Sequence, residues 1–196
     1  MSIEKKDDHV LVNDFINGDA QAIEILINRH KNRVFTYILL IVKDEQLAED
    51  IFQDTFIKVI RSLRKGKYLD KGIFVSWVVR IAHNLVIDYF RKSKNINNYS
   101  KDNENFEVLN SIRFAESTIE DEMIQTQISE DLKNLVLQLP KEQREVILLR
   151  HYGELSFKEI SEQTGVSINT ALGRMRYALI NLRKMIEEKK LTLTAI

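Results

Sequence analysis

The sequence predicts an all-α protein made of two small helical domains, and three observations carry that prediction. One proline and six glycines in 196 residues leave few points at which a helix must break. Leu, Ile, Glu, Lys and Gln recur at spacings of three and four, while strand-like alternation of polar and apolar residues is scarce. Residues 93–118 ("SKNINNYSKDNENFEVLNSIRFAEST") are the only stretch rich in Asn and Ser without a sustained helical period, and they read as a flexible linker. The period resumes near Ile119, through Met123, Ile124, Ile128, Leu132, Leu135 and Leu139. The expected domains are therefore residues 10–92 and 130–186, with an acidic linker over 93–129. Each is small, but dense Leu/Ile/Val stripes can bury a workable core.

Composition excludes several classes of function. The chain has no cysteine, so disulfides, thiol catalysis and thiolate zinc sites are ruled out. "MSIEKKDDHV" lacks an apolar core and a cleavage pattern, and does not read as a secretory signal. The longest uncharged apolar run, around Tyr37 to Val42, is far short of the roughly 20 residues of a spanning helix. A cytoplasmic protein with no membrane insertion is expected. Four scattered His and no Gly-rich phosphate loop leave no catalytic constellation, so no enzyme and no cofactor is expected.

The net charge of zero hides a pattern. Residues 1–60 carry 7 Lys/Arg against 11 Asp/Glu, residues 61–94 carry 9 against 2, residues 95–131 carry 2 against 9, and residues 132–196 carry 11 against 7. Two basic blocks separated by an acidic stretch suggest two phosphate-facing surfaces. Solvated faces of ordinary helices would account for the charge alone equally well.

In the first domain, "AEDIFQDTFIKVI" (Ala48 to Ile60) is strongly amphipathic. Ile51, Phe52, Phe56, Val59 and Ile60 are expected inside, and Asp50, Gln53 and Asp54 form an acidic-polar strip. No suitably spaced His accompanies the two carboxylates, so no metal is expected there. The strip is either a solvated face or a docking surface for a basic partner. A basic loop follows, "RSLRKGKYLDKG" (Arg61 to Gly72), and then a helix with Phe74, Trp77, Val78, Ile81, Leu85 and Ile87 as candidate core. A lone Trp is more often core than a stacking platform. Cationic loops beside aromatics are nevertheless the composition that grips single-stranded nucleic acid. His83, in mid-helix, reads as structural.

In the second domain, Pro140 suits the start of a helix "PKEQREVILLRHY" that buries Val146, Ile147 and Leu149 and ends at Gly153. "SFKE" (Ser156 to Glu159) matches a capping box that opens a short helix carrying Ile160 inward. Gly165 in "TGV" permits the positive φ of a sharp inter-helix turn, and Ser167 caps the last helix. Leu172, Met175, Leu179, Leu182 and Ile186 are expected as its buried stripe. Ser167, Thr170 and Arg174 share another face, and Asn169 and Arg176 lie two turns apart. A helix-turn-helix offers such N-terminal residues to base edges, and Arg and Asn suit bidentate contacts. A plain helical hairpin with a polar outer face is the alternative.

Two blocks carry a resemblance. "AIEILINRHKNRVFTYI", "AEDIFQDTFIKVI" and "FVSWVVRIAHNLVIDYFRK" precede "LPKEQREVILLRHYGELSFKEISEQTGVSINTALGRMRYALINLR". In that order they resemble the extracytoplasmic-function sigma factors of bacterial RNA polymerase, over about 20–92 and 130–185. The resemblance implies that Asp50, Gln53 and Asp54 dock on the clamp helices of the largest polymerase subunit. It implies that Lys67, Tyr68, Lys71, Trp77, Arg80, Asn84 and Arg91 serve minus-ten capture and melting. Ser167, Asn169, Thr170, Arg174 and Arg176 would face the minus-thirty-five element. Core RNA polymerase (clamp helices and flap), promoter DNA and an anti-sigma factor are the implied partners. Leu172 and Gly173 stand where family members often carry a basic and a small polar residue, and Tyr177 where a basic residue is common. That implies fewer phosphate contacts from this helix. A stand-alone helix-turn-helix regulator is the competing reading, and the N-terminal block argues against it.

Overall fold

The structure is a computed structural model, and it describes residues 6–68, 73–96 and 131–191. Among these residues every regular element is a helix. In chain order they are α1 (Asp8–Ile16), α2 (Ala20–Val42), α3 (Glu45–Arg64), α4 (Phe74–Ile96), α5 (131–138), α6 (Lys141–His151), α7 (Phe157–Thr164) and α8 (Ile168–Glu188). The chain divides into two compact units, the first holding α1–α4 and the second α5, α6 as far as Arg150, α7 and α8.

Local chemistry sets the ends of the first unit's helices. Asp19 caps α2 by accepting the Gln21 N–H, and Asp44 caps α3 by accepting the Leu47 N–H. Between them Lys43 takes a left-handed φ of 56°, so α2 and α3 turn on two residues. Arg61 and Arg64 sit in the last turn of α3, where cations meet the negative end of the helix dipole. The expected basic loop thus starts later than its sequence suggests, because its first four residues complete α3.

α2 packs against α1, α3 and α4, and α3 packs against α4. Leu11, Leu26, Val59, Leu63, Val78 and Val79 are fully buried, and removing one such Leu side chain typically costs about 2–5 kcal/mol. α1, which the sequence reading did not single out, contributes Leu11, Val12 and Phe15. In α3, Ile51, Phe56 and Val59 are buried as expected, whereas Phe52 and Ile60 are half-buried. The buried Thr55 satisfies its hydroxyl by donating to the Ile51 carbonyl at 2.7 Å.

The core face of α4 differs from the expectation. Phe74 and Val78 are buried, but Val75, Val79, Ala82 and Val86 complete the face. Trp77, Ile81 and Leu85 are half-buried on its flank and Ile87 is exposed. Short side chains at steps of four and three let neighbouring helices approach closely, and the larger ones cover the seam's edge. α4 also runs to Ile96, so residues 93–96 are helix where a linker was expected. The rest of the expected linker, 97–129, lies outside the described residues.

In the second unit, the Pro140 carbonyl accepts the Gln143 and Arg144 N–H groups at 3.0 and 2.9 Å and starts α6. Arg144 Nη1 donates to the Leu137 carbonyl at 2.9 Å, tying α6 to the end of α5. α6 buries Val146, Leu148 and Leu149, with Ile147 half-buried, and it ends at His151 rather than Gly153. Glu154, not a glycine, takes the left-handed conformation beyond it, at φ 54°. α7 opens with the expected capping box between Ser156 and Glu159, buries Ile160, and stops at Gly165, whose φ is 67°. Asn181 donates to Gln143 at 2.8 Å and Lys189 to Gln138 at 2.9 Å, joining α8 to α6 and α5.

The buried stripe of α8 is also displaced from the expectation. Ala171, Ala178 and Leu182 are buried, Met175 and Ile186 are half-buried, and Leu172 and Leu179 are each 44% exposed. The two alanines form the seam, and the expected leucines stand beside it.

Candidate nucleic-acid interface

The acidic strip lies on α3. Asp50, Gln53 and Asp54 are all exposed, and Ile57, 45% exposed, continues the same face one turn on. Among the described residues neither Asp50 nor Asp54 forms an ion pair. Beside the strip is an open groove of about 410 Å³, lined by Lys31, Asn32 and Phe35 of α2 and Glu49, Phe52 and Gln53 of α3. Phe35 meets Phe52 edge-on at 5.9 Å. The pattern of α3 alone did not reveal this groove, because half of its wall comes from α2.

A second constellation joins the end of α3 to the start of α4. The rings of Tyr68 and Trp77 are 4.8 Å apart, and Phe74 lies 6.1 Å from Tyr68 and 6.0 Å from Trp77. Phe74 is 1% exposed, whereas Tyr68 and Trp77 are half-buried, so these two rings form the accessible edge of the cluster. Arg80 and Asn84 follow Trp77 at steps of three and four, on the same side of α4. Lys67 is exposed just beyond Gly66. Arg91 is not part of this grouping: it lies about 21 Å along the helix from Trp77, and it pairs with Asp88 at 3.0 Å. Lys71 lies outside the described residues.

His30, from α2, supports the cluster and was missed by the sequence reading. Its ring is 5.6 Å from Phe74, and its Nε2 is 2.7 Å from Asp8 Oδ2. Arg29 Nη1 donates to the other oxygen of Asp8 at 2.6 Å. Burial alone would raise the Asp8 carboxyl, but the hydrogen bonds and charges of His30 and Arg29 outweigh it and hold the group below its usual range. The 22-residue separation of Asp8 and His30 leaves no periodic signal in the sequence.

The third constellation is the α7–α8 turn. Ser167 accepts the Thr170 N–H at 3.1 Å, and the two hydroxyls are 2.9 Å apart. Asn169 and Arg176 are exposed two turns apart, about 10 Å along the helix. Arg174 is half-buried and feels the charge of Glu145 on α6. Burial pushes the Glu145 carboxyl up, against the pull of Lys141 and Arg174. The five residues therefore divide: Ser167 and Thr170 build the cap, Asn169 and Arg176 project outward, and Arg174 is turned partly toward α6.

An aromatic and basic edge on one helical unit, with a capped helix-turn-helix on another, defines a modular nucleic-acid-binding protein. Comparison with known families sharpens that class. The Sigma-70 region 2 family matches residues 26–96, and the Sigma-70, region 4 family matches residues 129–177. The chain is similar to the ECF RNA polymerase sigma-E factor of Haemophilus influenzae, 28% identical over 190 residues covering 95% of this chain and 96% of the relative. It is also similar to the ECF RNA polymerase sigma factor SigW of Bacillus subtilis, 28% identical over 176 residues covering 87% and 92%. Its fold is similar to that of the sigma factor RpoE, solved in complex with the anti-sigma factor NepR from Bartonella quintana. That likeness has a TM-score of 0.62 at 17% identity, covering 86% of this chain and 98% of the other. A similar likeness holds to CnrH, solved with the cytosolic domain of CnrY, at a TM-score of 0.60 and 20% identity over 93% and 99% of the two chains. The chain belongs to the sigma-70 family of RNA polymerase sigma factors, in its extracytoplasmic-function class. A stand-alone regulator would have no need of region 2, so that alternative is set aside. Among the described residues no helix is long and apolar enough to cross a membrane.

Proposed function

We propose that this sigma factor divides its work among the three constellations. Asp50, Gln53 and Asp54 dock the first unit on the clamp helices of core RNA polymerase, whose basic side chains the unpaired carboxylates would attract. Lys67, Lys71 and Arg80 hold phosphates of the minus-ten element while Tyr68 and Trp77 receive a base that has left the stack, with Asn84 and Arg91 extending the track along α4. Asn169, Arg174 and Arg176 face the minus-thirty-five element, on a helix whose start Ser167 and Thr170 fix, and the second unit also meets the polymerase flap.

Melting follows from binding. A duplex opens when the protein holds the unpaired state more tightly than the paired one, and base–aromatic stacking is worth about 1–3 kcal/mol per base. No bond is made or broken by the protein, so it acts as a specificity subunit and not as an enzyme, in the cytoplasm where polymerase and DNA meet. An anti-sigma factor that covered the acidic strip and its groove would hold it inactive.

The observation that carries this reading is the occurrence of regions 2 and 4, in order, with the ring pair Tyr68–Trp77 4.8 Å apart at the end of the basic segment. Run-off transcription on genomic fragments, with core polymerase with and without the protein, tests it. Specific initiation that needs the protein is the expected result. Tight duplex binding by the protein alone, without stimulation of polymerase, would defeat the reading.

A further inference from the structure

A line of contacts runs from α1 to the accessible edge of the aromatic cluster. Asp8 holds Nε2 of His30 at 2.7 Å, the His30 ring lies 5.6 Å from Phe74, and Phe74 lies about equally far from Tyr68 and Trp77, at 6.1 and 6.0 Å. The His30 side chain is only 12% exposed, so its polar edge is committed to the carboxylate and its ring body to Phe74. Phe74 is 1% exposed and cannot itself stack on a base. Its bearing on a nucleic acid is therefore positional. Tyr68 lies four residues beyond the end of α3 and its ring meets both Phe74 and Trp77, so its angle to Trp77 depends in part on the Phe74 ring behind it.

We propose that His30, anchored by Asp8, is a positioning residue of the single-strand site, backing Phe74 and so setting the Tyr68–Trp77 edge that receives an unstacked base. The inference rests on the reading of those two rings as base-binding. If Asp8 served only to strap α1 to α2, its 2.6 Å pair with Arg29 would suffice and the His30 ring would have no bearing on DNA. A positioning role makes a different demand: the effect of His30 must pass through Trp77.

The test uses the full chain in holoenzyme with core polymerase, on fork-junction DNA from a promoter it transcribes. His30→Ala, Asp8→Asn, Asp8→Glu, Trp77→Ala and the double variant His30→Ala/Trp77→Ala are compared for fork binding and for affinity to core polymerase. Trp77→Ala should bind the fork about 5- to 150-fold more weakly, the range that base–aromatic stacking allows. His30→Ala and Asp8→Asn should each lose about 3- to 10-fold, Asp8→Glu should restore most of it, and affinity for core polymerase should not change. Trp77 is the only tryptophan, so its emission in the free protein reports the cluster directly, and His30→Ala should make it easier to quench. On the Trp77→Ala background, His30→Ala should cost nothing further. Full fork binding by His30→Ala, or an equal loss on both backgrounds, would overturn the inference and leave the base-binding reading intact. Trp77→Ala with undiminished fork binding would instead defeat that reading and the inference with it. Should His30→Ala fail to fold, Asp8→Asn carries the same test with the ring retained.

Discussion

The Tyr37 hydroxyl and Nδ1 of His83 share a 2.8 Å hydrogen bond in the interior of the first unit, linking α2 to α4. Tyr37 is 0% and His83 2% exposed, so each buried polar group is met by the other. This is the structural role expected for His83, with the partner that the sequence did not reveal.

Acid should loosen this unit through His83. Burial pushes its pKa down to about 4 from the ordinary 6.5 of histidine. Below pH 6.5 the unfolded chain therefore takes up a proton that the folded chain refuses until about pH 4. Stability is full above that window and falls as pH drops through it, by about 3 kcal/mol in all. Urea unfolding followed by Trp77 fluorescence at pH 7 and pH 4.5 measures the loss. His83→Gln should be less stable at pH 7 but show a much flatter dependence across the window. An equally steep dependence in that variant would assign the acid sensitivity to other groups.

The acidic strip should matter for docking and not for folding. Asp50 and Asp54 are exposed and unpaired among the described residues, so Asp50→Arg with Asp54→Arg should change unfolding stability by no more than about 1 kcal/mol. If the strip docks on core polymerase as proposed, the same double change should weaken that binding at least about tenfold, because it places like charges where opposite ones would meet. Fluorescence anisotropy of the labelled protein against core polymerase reads this. Unaltered affinity would return the strip to being a solvated face.

The elements legible in the sequence were those specified by local chemistry. Ser156–Glu159, Gly165 and Ser167 announce the α7–α8 turn because caps and positive-φ turns involve residues three or four apart. The exposure of Asp50, Gln53 and Asp54 followed from a single helical period. Burial on α4 and α8 was less legible, because size is a poor guide to which apolar residue occupies a helix seam. Val75, Val79 and Ala82 displaced Trp77, Ile81 and Leu85, and Ala171 and Ala178 displaced Leu172 and Leu179. The Asp8–His30–Phe74 line joins α1, α2 and α4 across long separations, which periodicity cannot express.

The seam of α8 can be tested by size. Ala178 is 0% exposed, so Ala178→Leu adds three carbons where no room exists and should cost about 1–3 kcal/mol or more. Leu179 is 44% exposed, and Leu179→Ala should cost less than about 1 kcal/mol. Thermal unfolding followed by far-ultraviolet circular dichroism compares the two. The reverse ranking would restore the leucine stripe as the buried face.

The five residues offered to the minus-thirty-five element should separate by role. Ser167→Ala removes the acceptor of the Thr170 N–H and should cost about 1 kcal/mol of stability. Its promoter binding should fall only as far as the frayed helix start requires, and equally on matched and mutated elements. Asn169→Ala and Arg176→Ala remove exposed side chains, so unfolding should be almost unchanged while promoter binding weakens. Where one of them reads a base, the loss should be about 1–3 kcal/mol and should disappear on an element mutated at that base; a phosphate contact would lose equally on every sequence and lower the salt dependence. Arg174→Ala should do both, since Arg174 lies half-buried near Glu145 and is also proposed to face the minus-thirty-five element. Removing it leaves the half-buried Glu145 carboxylate without one of the charges that holds its pKa down, so the variant should also lose stability as pH rises through the range where Glu145 ionises. Holoenzyme binding to matched and mutated promoter fragments, paired with unfolding curves at two pH values, distinguishes the three behaviours. An Arg174→Ala variant with unchanged stability and equal losses on all sequences would make Arg174 a plain phosphate contact.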